Sequence, residues 1–344
     1  MALSRQGEIA VASTTVRPAG GVVKWAFPQR VTRLVRVLAW SSFVLQVVLI
    51  GTGGAVRLTA SGLGCPTWPQ CTDGSLVNTP QLGFHGIIEF GNRLLTVVLS
   101  LVVIAMFLAV LRLRKSRRDL FWLALLQGLS IPFQAVLGGI TVLTGLNPYV
   151  VGLHFVVSLV LVILTTVLVY RSYRGRRGIE PTVPRWYRVV TLVAAAVAAV
   201  TVVFGILTTG SGPHAGDNSN AKALAPRNGL DPLLLQHVHS WPAYTMFALT
   251  VVLVAASFAL GNRIATNGVR RFALVLLAVE VVQIIVGIRQ AETGLPIALV
   301  NIHMVLAALL IATMTALVLS ERAPLAPALD DSGAQNSDAQ NSDA

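Results

Sequence analysis

The chain has 344 residues, of which 54% are hydrophobic and 12% are charged, and its mean hydropathy is +0.72. This composition excludes an ordinary soluble domain and is typical of a protein that crosses a membrane several times. The formal net charge of +12 does not indicate a nucleic-acid partner, because the basic residues lie in short loops between apolar segments.

The chain begins with a polar arm, residues 1–30, in which no apolar stretch and cleavage site of a secretory signal peptide is evident. We expect this arm and the tail 323–344, which ends in a tandem repeat rich in Asp and Asn, to be disordered and cytoplasmic. Between them lie eight apolar segments, each close to the ~20 residues that a bilayer requires. The sequence predicts membrane-spanning helices at about 34–55, 84–111, 119–142, 149–170, 188–208, 232–260, 271–290 and 297–320.

The lysine and arginine residues predict the orientation, because cytoplasmic loops carry an excess of them. Over the loops and helix ends, twenty-one lie on the side of the two termini and four lie on the other side, namely Arg57, Lys222, Arg227 and Arg289. Both termini are therefore predicted to be cytoplasmic, and the even-numbered helices are predicted to begin outside.

An internal repeat relates the two halves of the chain. Polar residues and glycines recur at an offset of 149: Gln134, Gly138, Thr144-Gly145-Leu146 and His154 match Gln283, Gly287, Thr293-Gly294-Leu295 and His303. Repeats with an even number of spans pack around an axis normal to the membrane. We therefore predict an all-α integral membrane fold of eight helices, in two pseudo-twofold-related four-helix bundles, residues 31–176 and 177–322.

Each half carries histidines near the same end of two of its apolar segments. Polar residues are costly to bury in a membrane, and a histidine there serves hydrogen bonding, proton relay or metal ligation. Two histidines on facing helices supply both axial ligands of a haem, so the repeat favours one porphyrin site in each half. In the second half the candidates are His239 and His303, with His237 as the alternative to His239.

The first half has a different set of candidates. His154 is joined by His85, Glu89 and Asn92, which lie at i, i+4 and i+7 on one face of the second helix. A carboxylate beside a porphyrin indicates proton transfer or substrate orientation, which makes Glu89 our candidate catalytic residue. The alternative is a structural ion pair with Arg93, at i+4.

The two cysteines, Cys65 and Cys71, lie in one polar loop on the predicted outer side. That compartment permits disulfides, and the spacing closes a small loop. We predict a disulfide or a redox-active pair, the alternative being two reduced thiols.

Four segments, RLTASGLGCPTWPQC, IEFGNRLL, LGGITVLTGLNP and GSGPHAGD, resemble the heme A synthases, and the resemblance covers residues 30–320. It implies oxidation of a methyl group of heme O to the formyl group of heme A, for cytochrome oxidase assembly in a bacterial cell membrane. It also implies a haem b cofactor whose iron is bound by His239 and His303. Heme O would bind in the first half, with Glu89 and His154 at the reaction site.

The second helix departs from the family pattern Glu-x-x-His-Arg, because Asn92 stands where a histidine is expected. A neutral amide is a poor iron ligand. Two interpretations stay open. Either His85, two turns earlier on the same face, ligates the first-half haem, or His154 is its sole protein ligand.

Oxidation of an unactivated methyl group needs the iron and oxygen chemistry of a cofactor. The sequence has no Gly-rich dinucleotide loop, so we expect an external electron donor, either a ferredoxin-like protein or a quinol. Heme O can enter between helices from the membrane lipid, and the heme O synthase is an expected partner. A diheme bis-histidine electron-transfer protein is the alternative function, but the Glu89 cluster in only one half favours the enzyme.

Overall fold

The computed structural model describes residues 30–174, 177–214, 225–261 and 267–324. Within these ranges, eight helices are long and apolar enough to cross a membrane, as predicted. The predicted arm 1–30, apart from Arg30, and the predicted tail from residue 325 onward lie outside the described residues. The helices are α1 (Arg33–Leu58), α2 (Gly83–Leu111), α3 (Arg118–Leu143), α4 (Pro148–Arg174), α5 (Arg185–Ser211), α6 (Pro232–Ala259), α7 (Asn267–Glu292) and α8 (Ile297–Ser320).

Short connections between the helices complete the described chain. Single 3₁₀ turns, Pro80–Leu82 and Arg112–Arg114, flank α2. Two short strands, β1 (Arg177–Pro181) and β2 (Arg322–Pro324), pair antiparallel between the α4–α5 connection and the end of α8. Strand β2 includes the first two residues of the predicted tail, Ala323 and Pro324, and the disorder of the tail stays a prediction.

The repeated Thr-Gly-Leu turns end α3 and α7 in the same way. Gly145 and Leu146 both have positive φ, at 58° and 62°, and so do Gly294 and Leu295, at 76° and 60°. A left-handed glycine followed by a backbone hydrogen bond to the last helical turn is a common helix stop. The amide of Leu146 donates to the carbonyl of Thr141, and that of Leu295 donates to the carbonyl of Gln290, both at 2.8 Å. The repeat detected in the sequence is therefore also a repeat in backbone conformation.

Within each half, every helix contacts two others of the same half. In the first half, helices α1 and α3 each pack against α2 and α4. In the second half, helices α5 and α7 each pack against α6 and α8. Between the halves, α8 packs against α1 and α4, and α4 also touches α5. An apolar cluster at this junction contains Ile50, Leu159, Val162, Ala308 and Ala312. The pseudo-twofold relation and the boundaries of the two bundles stay predictions.

The fully buried apolar cores lie away from the histidines. In the first half the core contains Val35, Met106 and Leu168, toward the ends of α1, α2 and α4 that carry the basic loops. In the second half the core includes Leu253 of α6 and Leu317 of α8, far along helices whose histidines lie near the start. The apolar cores thus hold one end of the molecule together, and the polar candidate residues lie at the other end.

Candidate functional site

His239 of α6 and His303 of α8 face each other inside the second half, with 6.3 Å between their ring centroids. Nδ1 of His239 lies 2.9 Å from the carbonyl oxygen of Thr201. A carbonyl can only accept, so Nδ1 carries the proton and Nε2 keeps the lone pair that a metal requires. The third candidate, His237, is exposed. The structure therefore brings together His239 and His303 and leaves His237 outside the pair.

Two glycines make room for these rings. A Cβ at Gly205 of α5 would lie 2.9 Å from Cε1 of His239, and one at Gly287 of α7 would lie 3.1 Å from Cε1 of His303. Gln283 of α7 donates to the backbone carbonyl of His303 at 3.1 Å. Nδ1 of His303 is enclosed and has no hydrogen-bond partner within the described ranges. Paired imidazoles, one with a fixed tautomer and one with an unsatisfied nitrogen, fit the axial ligands of a haem.

His154 of α4 shares three features with His303 at the offset of the repeat: a glycine beside the ring, a glutamine near the backbone carbonyl and an Nδ1 without a partner among the described residues. Its ring lies against Gly138 of α3, where an added Cβ would be 3.4 Å from Cε1. Gln134 lies 3.5 Å from its backbone carbonyl and donates to Ser158 at 2.9 Å. Nδ1 of His154 is likewise enclosed without a hydrogen-bond partner in the described part of the chain. The sequence repeat thus extends to the environment of one histidine in each half.

Glu89 is held by a network that reaches the cysteine loop. Its side chain is buried, at 6% exposure, and Arg93 donates to Oε1 at 2.6 Å while the amide of Cys65 donates to Oε2 at 2.7 Å. Arg93 also donates to the backbone carbonyls of Cys65, Thr67 and Gln70. The ion pair considered as an alternative is present, and it positions this loop. A role of Glu89 in proton transfer stays a prediction.

Cys65 and Cys71 form a disulfide, with Cα atoms 4.4 Å apart, which confirms this part of the sequence prediction. The loop that it closes lies over the first half. Trp68 of the loop packs directly on Gly139, the residue next to Gly138, which contacts the His154 ring. The contacts of Gly138 with His154 and of Gly139 with Trp68 were not predicted. The sequence shows that a glycine recurs at the offset of the repeat, but it does not show which ring packs against it.

His85 and Asn92 have separate partners at different depths. Nδ1 of His85 lies 2.8 Å from Oγ of Ser61, which follows the end of α1. Oδ1 of Asn92 accepts from the hydroxyl of Thr52 at 2.7 Å, inside the last two turns of α1. Both predicted residues therefore face α1, but only Asn92 lies alongside the helix itself.

The comparison with protein families gives one match that covers most of the chain. Residues 36–315 match the model of the cytochrome oxidase assembly protein family. The chain belongs to this family. The matched region includes all eight helices apart from the first turn of α1 and the last turn of α8.

Several individual proteins with sequences similar to this chain are heme A synthases. That of Bacillus pumilus is 36% identical over 150 residues, or 42% of this chain and 46% of the relative. That of Exiguobacterium sibiricum is 33% identical over 148 residues, or 42% and 49%. That of Listeria welshimeri is 33% identical over 124 residues, or 35% and 40%. These matches span less than half the length of the curated relatives.

Proposed function

We propose that the protein is a heme A synthase, which oxidises a methyl group of heme O to the formyl group of heme A. The family match and the names of the relatives support this proposal. The single observation that carries it is the pair of facing imidazoles, His239 and His303, combined with the equivalent His154 in the other half. An iron-porphyrin chemistry that uses two sites explains why the environment of a histidine is repeated.

In this proposal His239 and His303 hold haem b in the second half. When bound there, haem b supplies one-electron transfer. The carbonyl of Thr201 keeps Nε2 of His239 unprotonated, and Gly205 and Gly287 leave the rings free of steric contact. No carboxylate is needed beside this pair, because electron transfer through a haem with two imidazole ligands requires no protein acid.

The first half receives heme O as substrate, with His154 as a ligand and His85, Asn92 and Glu89 bordering the site. Oxidation of a methyl to a formyl group by dioxygen, with electrons from an external donor, consumes protons, and a carboxylate within the protein can transfer them. Glu89 is tied to Arg93 and to the disulfide loop, so its position is fixed relative to that loop. The loop in turn packs through Trp68 against Gly139.

The remaining assignments concern the membrane and its partners. We place both termini in the cytoplasm and the disulfide outside, on the distribution of basic residues in a bacterial cell membrane. Heme O enters from the membrane lipid, delivered by the heme O synthase. The electrons come from an external donor, a ferredoxin-like protein or a quinol.

The proposed activity is tested by extracting haems from bacterial cells that make heme O but lack their own heme A synthase. Expression of this chain should convert heme O to heme A, as measured by chromatography of the extracted pigments. Unchanged heme O, with haem bound to the purified chain, would instead favour a diheme electron carrier.

A further inference from the structure

The two halves differ in the residue that bonds to the first helix of each half at nearly the same level. In the second half, the residue of α6 opposite His303 is His239, which meets α5 at Thr201. Sequence matching at the end of the first helix of each half, Ser61-Gly62 with Ser211-Gly212, makes residue 51 of α1 the counterpart of residue 201. Asn92 of α2 meets α1 at Thr52, only one residue from that counterpart. Asn92 therefore meets the first helix of its half within one residue of the level at which His239 meets α5.

His85 does not lie at this level. It lies seven residues before Asn92 on α2, which corresponds to about 10 Å along a helix, and it bonds to Ser61 beyond the end of α1. In the second half the counterpart of Ser61 is Ser211. His239 bonds to Thr201, which lies ten residues before Ser211 on α5. The structure thus places an amide, and no imidazole, at the depth where the second half has its facing ligand.

We propose that the substrate haem of the first half has one protein ligand, His154, and that Asn92 leaves the opposite coordination position of its iron open. This inference rests on the proposed function, because it assumes that heme O binds beside His154. Imidazole is a good ligand for iron, whereas amide oxygens suit harder metals. The hydroxyl of Thr52 already donates to Oδ1 of Asn92, which fixes the side chain.

The open position separates the chemistry of the two haems. A haem with two imidazole ligands passes electrons and has no position for another ligand, whereas a haem with one imidazole accepts a small molecule on its other side. Dioxygen is the oxidant that the proposed methyl oxidation needs, so an open position on the substrate side is chemically required only in the first half. The amide nitrogen of Asn92, which has no acceptor among the described residues, remains available as a hydrogen-bond donor on that side.

Binding of carbon monoxide to the reduced protein tests this inference, because carbon monoxide binds ferrous haem only at an open position. We would purify the chain from oxygen-limited cells that produce heme O and measure carbon monoxide bound per chain by difference absorbance. The wild type should bind one carbon monoxide per chain. Asn92→His should reduce this binding at least tenfold, with a matching change from high-spin to low-spin haem in electron paramagnetic resonance spectra of the oxidised protein.

Three further variants serve as matched controls. Ile87→His adds an imidazole to an exposed position of α2 and should leave carbon monoxide binding unchanged. His239→Asn makes the second half like the first and should add a second carbon monoxide per chain, provided that His303 retains the haem. Asn92→Ala removes the amide without adding a ligand and should keep carbon monoxide binding. It shows whether a substitution at this position by itself misfolds the site, which separates misfolding from ligation in Asn92→His.

Two results would overturn the inference: a wild type with both haems bound that takes up no carbon monoxide, or an Asn92→His variant that binds it normally. The proposed function fails separately. Cells that express the wild-type chain and form no heme A contradict the function. Heme A formation together with a first-half haem inert to carbon monoxide contradicts only the inference.

Discussion

The two halves of the molecule share one histidine environment and differ in what lies around it. His154 and His303 each have a glycine beside the ring and a glutamine at the backbone carbonyl, at equivalent positions. The halves diverge in the residue that bonds to the first helix of each half, which is His239 at Thr201 in the second half and Asn92 at Thr52 in the first. Only the first half has the Glu89–Arg93 pair and the disulfide loop that this pair holds.

This difference fits the proposal that the two copies of the repeated unit have different tasks. The shared environment is what any haem-binding half needs: an imidazole, a small residue beside it and a fixed backbone. The unshared residues include Glu89, a buried carboxylate tied to the disulfide loop, whereas the buried carboxylate of the second half, Glu280, accepts a hydrogen bond from Thr250 of α6. Burying such a group is costly without a partner or a specific role. On this difference we base the proposal that the second half binds the cofactor and the first half carries the substrate chemistry.

The largest expected effect comes from removing the paired imidazoles of the second half. His303→Ala and His239→Ala should each reduce bound haem b at least about tenfold, since even indirect partners of metal ligands change affinity by 10–100-fold. The protein should remain inserted in the membrane, because the apolar cores lie farther along the helices. Absorbance of purified protein measures the haem per chain.

His237→Ala is the matched control for this experiment, because His237 is on the same helix but exposed. It should retain haem at the wild-type level. Loss of haem in His237→Ala, with retention in His239→Ala, would show that the facing pair is not the ligand pair.

The next largest effect is expected at Glu89. Glu89→Gln keeps the size and most hydrogen-bonding atoms of the side chain but cannot accept a proton, so heme A formed per bound haem b should fall about a hundredfold. Haem b and heme O should both remain bound. Chromatography of extracted haems, normalised to cofactor, gives the value.

A purely structural role of Glu89 makes the opposite prediction. Loss of one partner of a buried ion pair costs about 3–5 kcal/mol, so the yield of folded protein would fall because Arg93 loses its carboxylate partner and keeps only backbone carbonyls among the described residues. Turnover per bound cofactor would then stay normal, and that result would remove Glu89 from the list of catalytic candidates.

An intermediate effect is expected for the disulfide, which only the first half has. Cys65→Ser together with Cys71→Ser should lower the stability of the loop by about 2 kcal/mol, because closing a short loop restricts the unfolded chain. The first half should lose substrate haem more readily while haem b in the second half is retained. Haem content of each type during thermal challenge measures the difference, and equal losses from both halves would contradict it.

The smallest effects are expected from the glycines beside the rings, and they should be graded. An added Cβ would lie 2.9 Å from the His239 ring at Gly205, 3.1 Å from the His303 ring at Gly287 and 3.4 Å from the His154 ring at Gly138. The two closer distances force the ring to move, whereas 3.4 Å is ordinary contact. Haem affinity should fall several-fold for Gly205→Ala, less for Gly287→Ala and little for Gly138→Ala. The reverse order would show that these rings are not held where the structure has them.

Much of the fold follows from the sequence, because hydrophobic length and basic loops specify a membrane helix almost completely. The eight helices begin and end within a few residues of their predicted positions. The short strands β1 and β2 were missed, since a pairing of three to five residues between distant segments leaves no periodic pattern. The two Thr-Gly-Leu segments were matched to each other in the sequence, but their left-handed leucines became evident only in the structure.

The candidate site was predictable at the level of residue type and not at the level of contact. Histidines, Glu89 and the two cysteines are unusual in or beside apolar helices, so the sequence singles them out. The groups that they contact are not unusual in sequence: His239 bonds to the backbone carbonyl of Thr201, Asn92 bonds to the hydroxyl of Thr52, and the disulfide loop packs in the space above Gly139. Backbone atoms and empty space carry no signature in a single sequence, which is why the choice of His239 over His237 as the partner of His303 required the structure.

The division of labour between the halves is the central claim, and the identity of the haem lost from each half tests it most directly. His154→Ala and His303→Ala should be purified from cells that produce heme O, and their haems extracted and separated by chromatography. We expect a crossed result: His154→Ala loses heme O and keeps haem b, whereas His303→Ala loses haem b and keeps heme O. Loss of the same haem, or of both haems, from each of the two well-folded variants would contradict it.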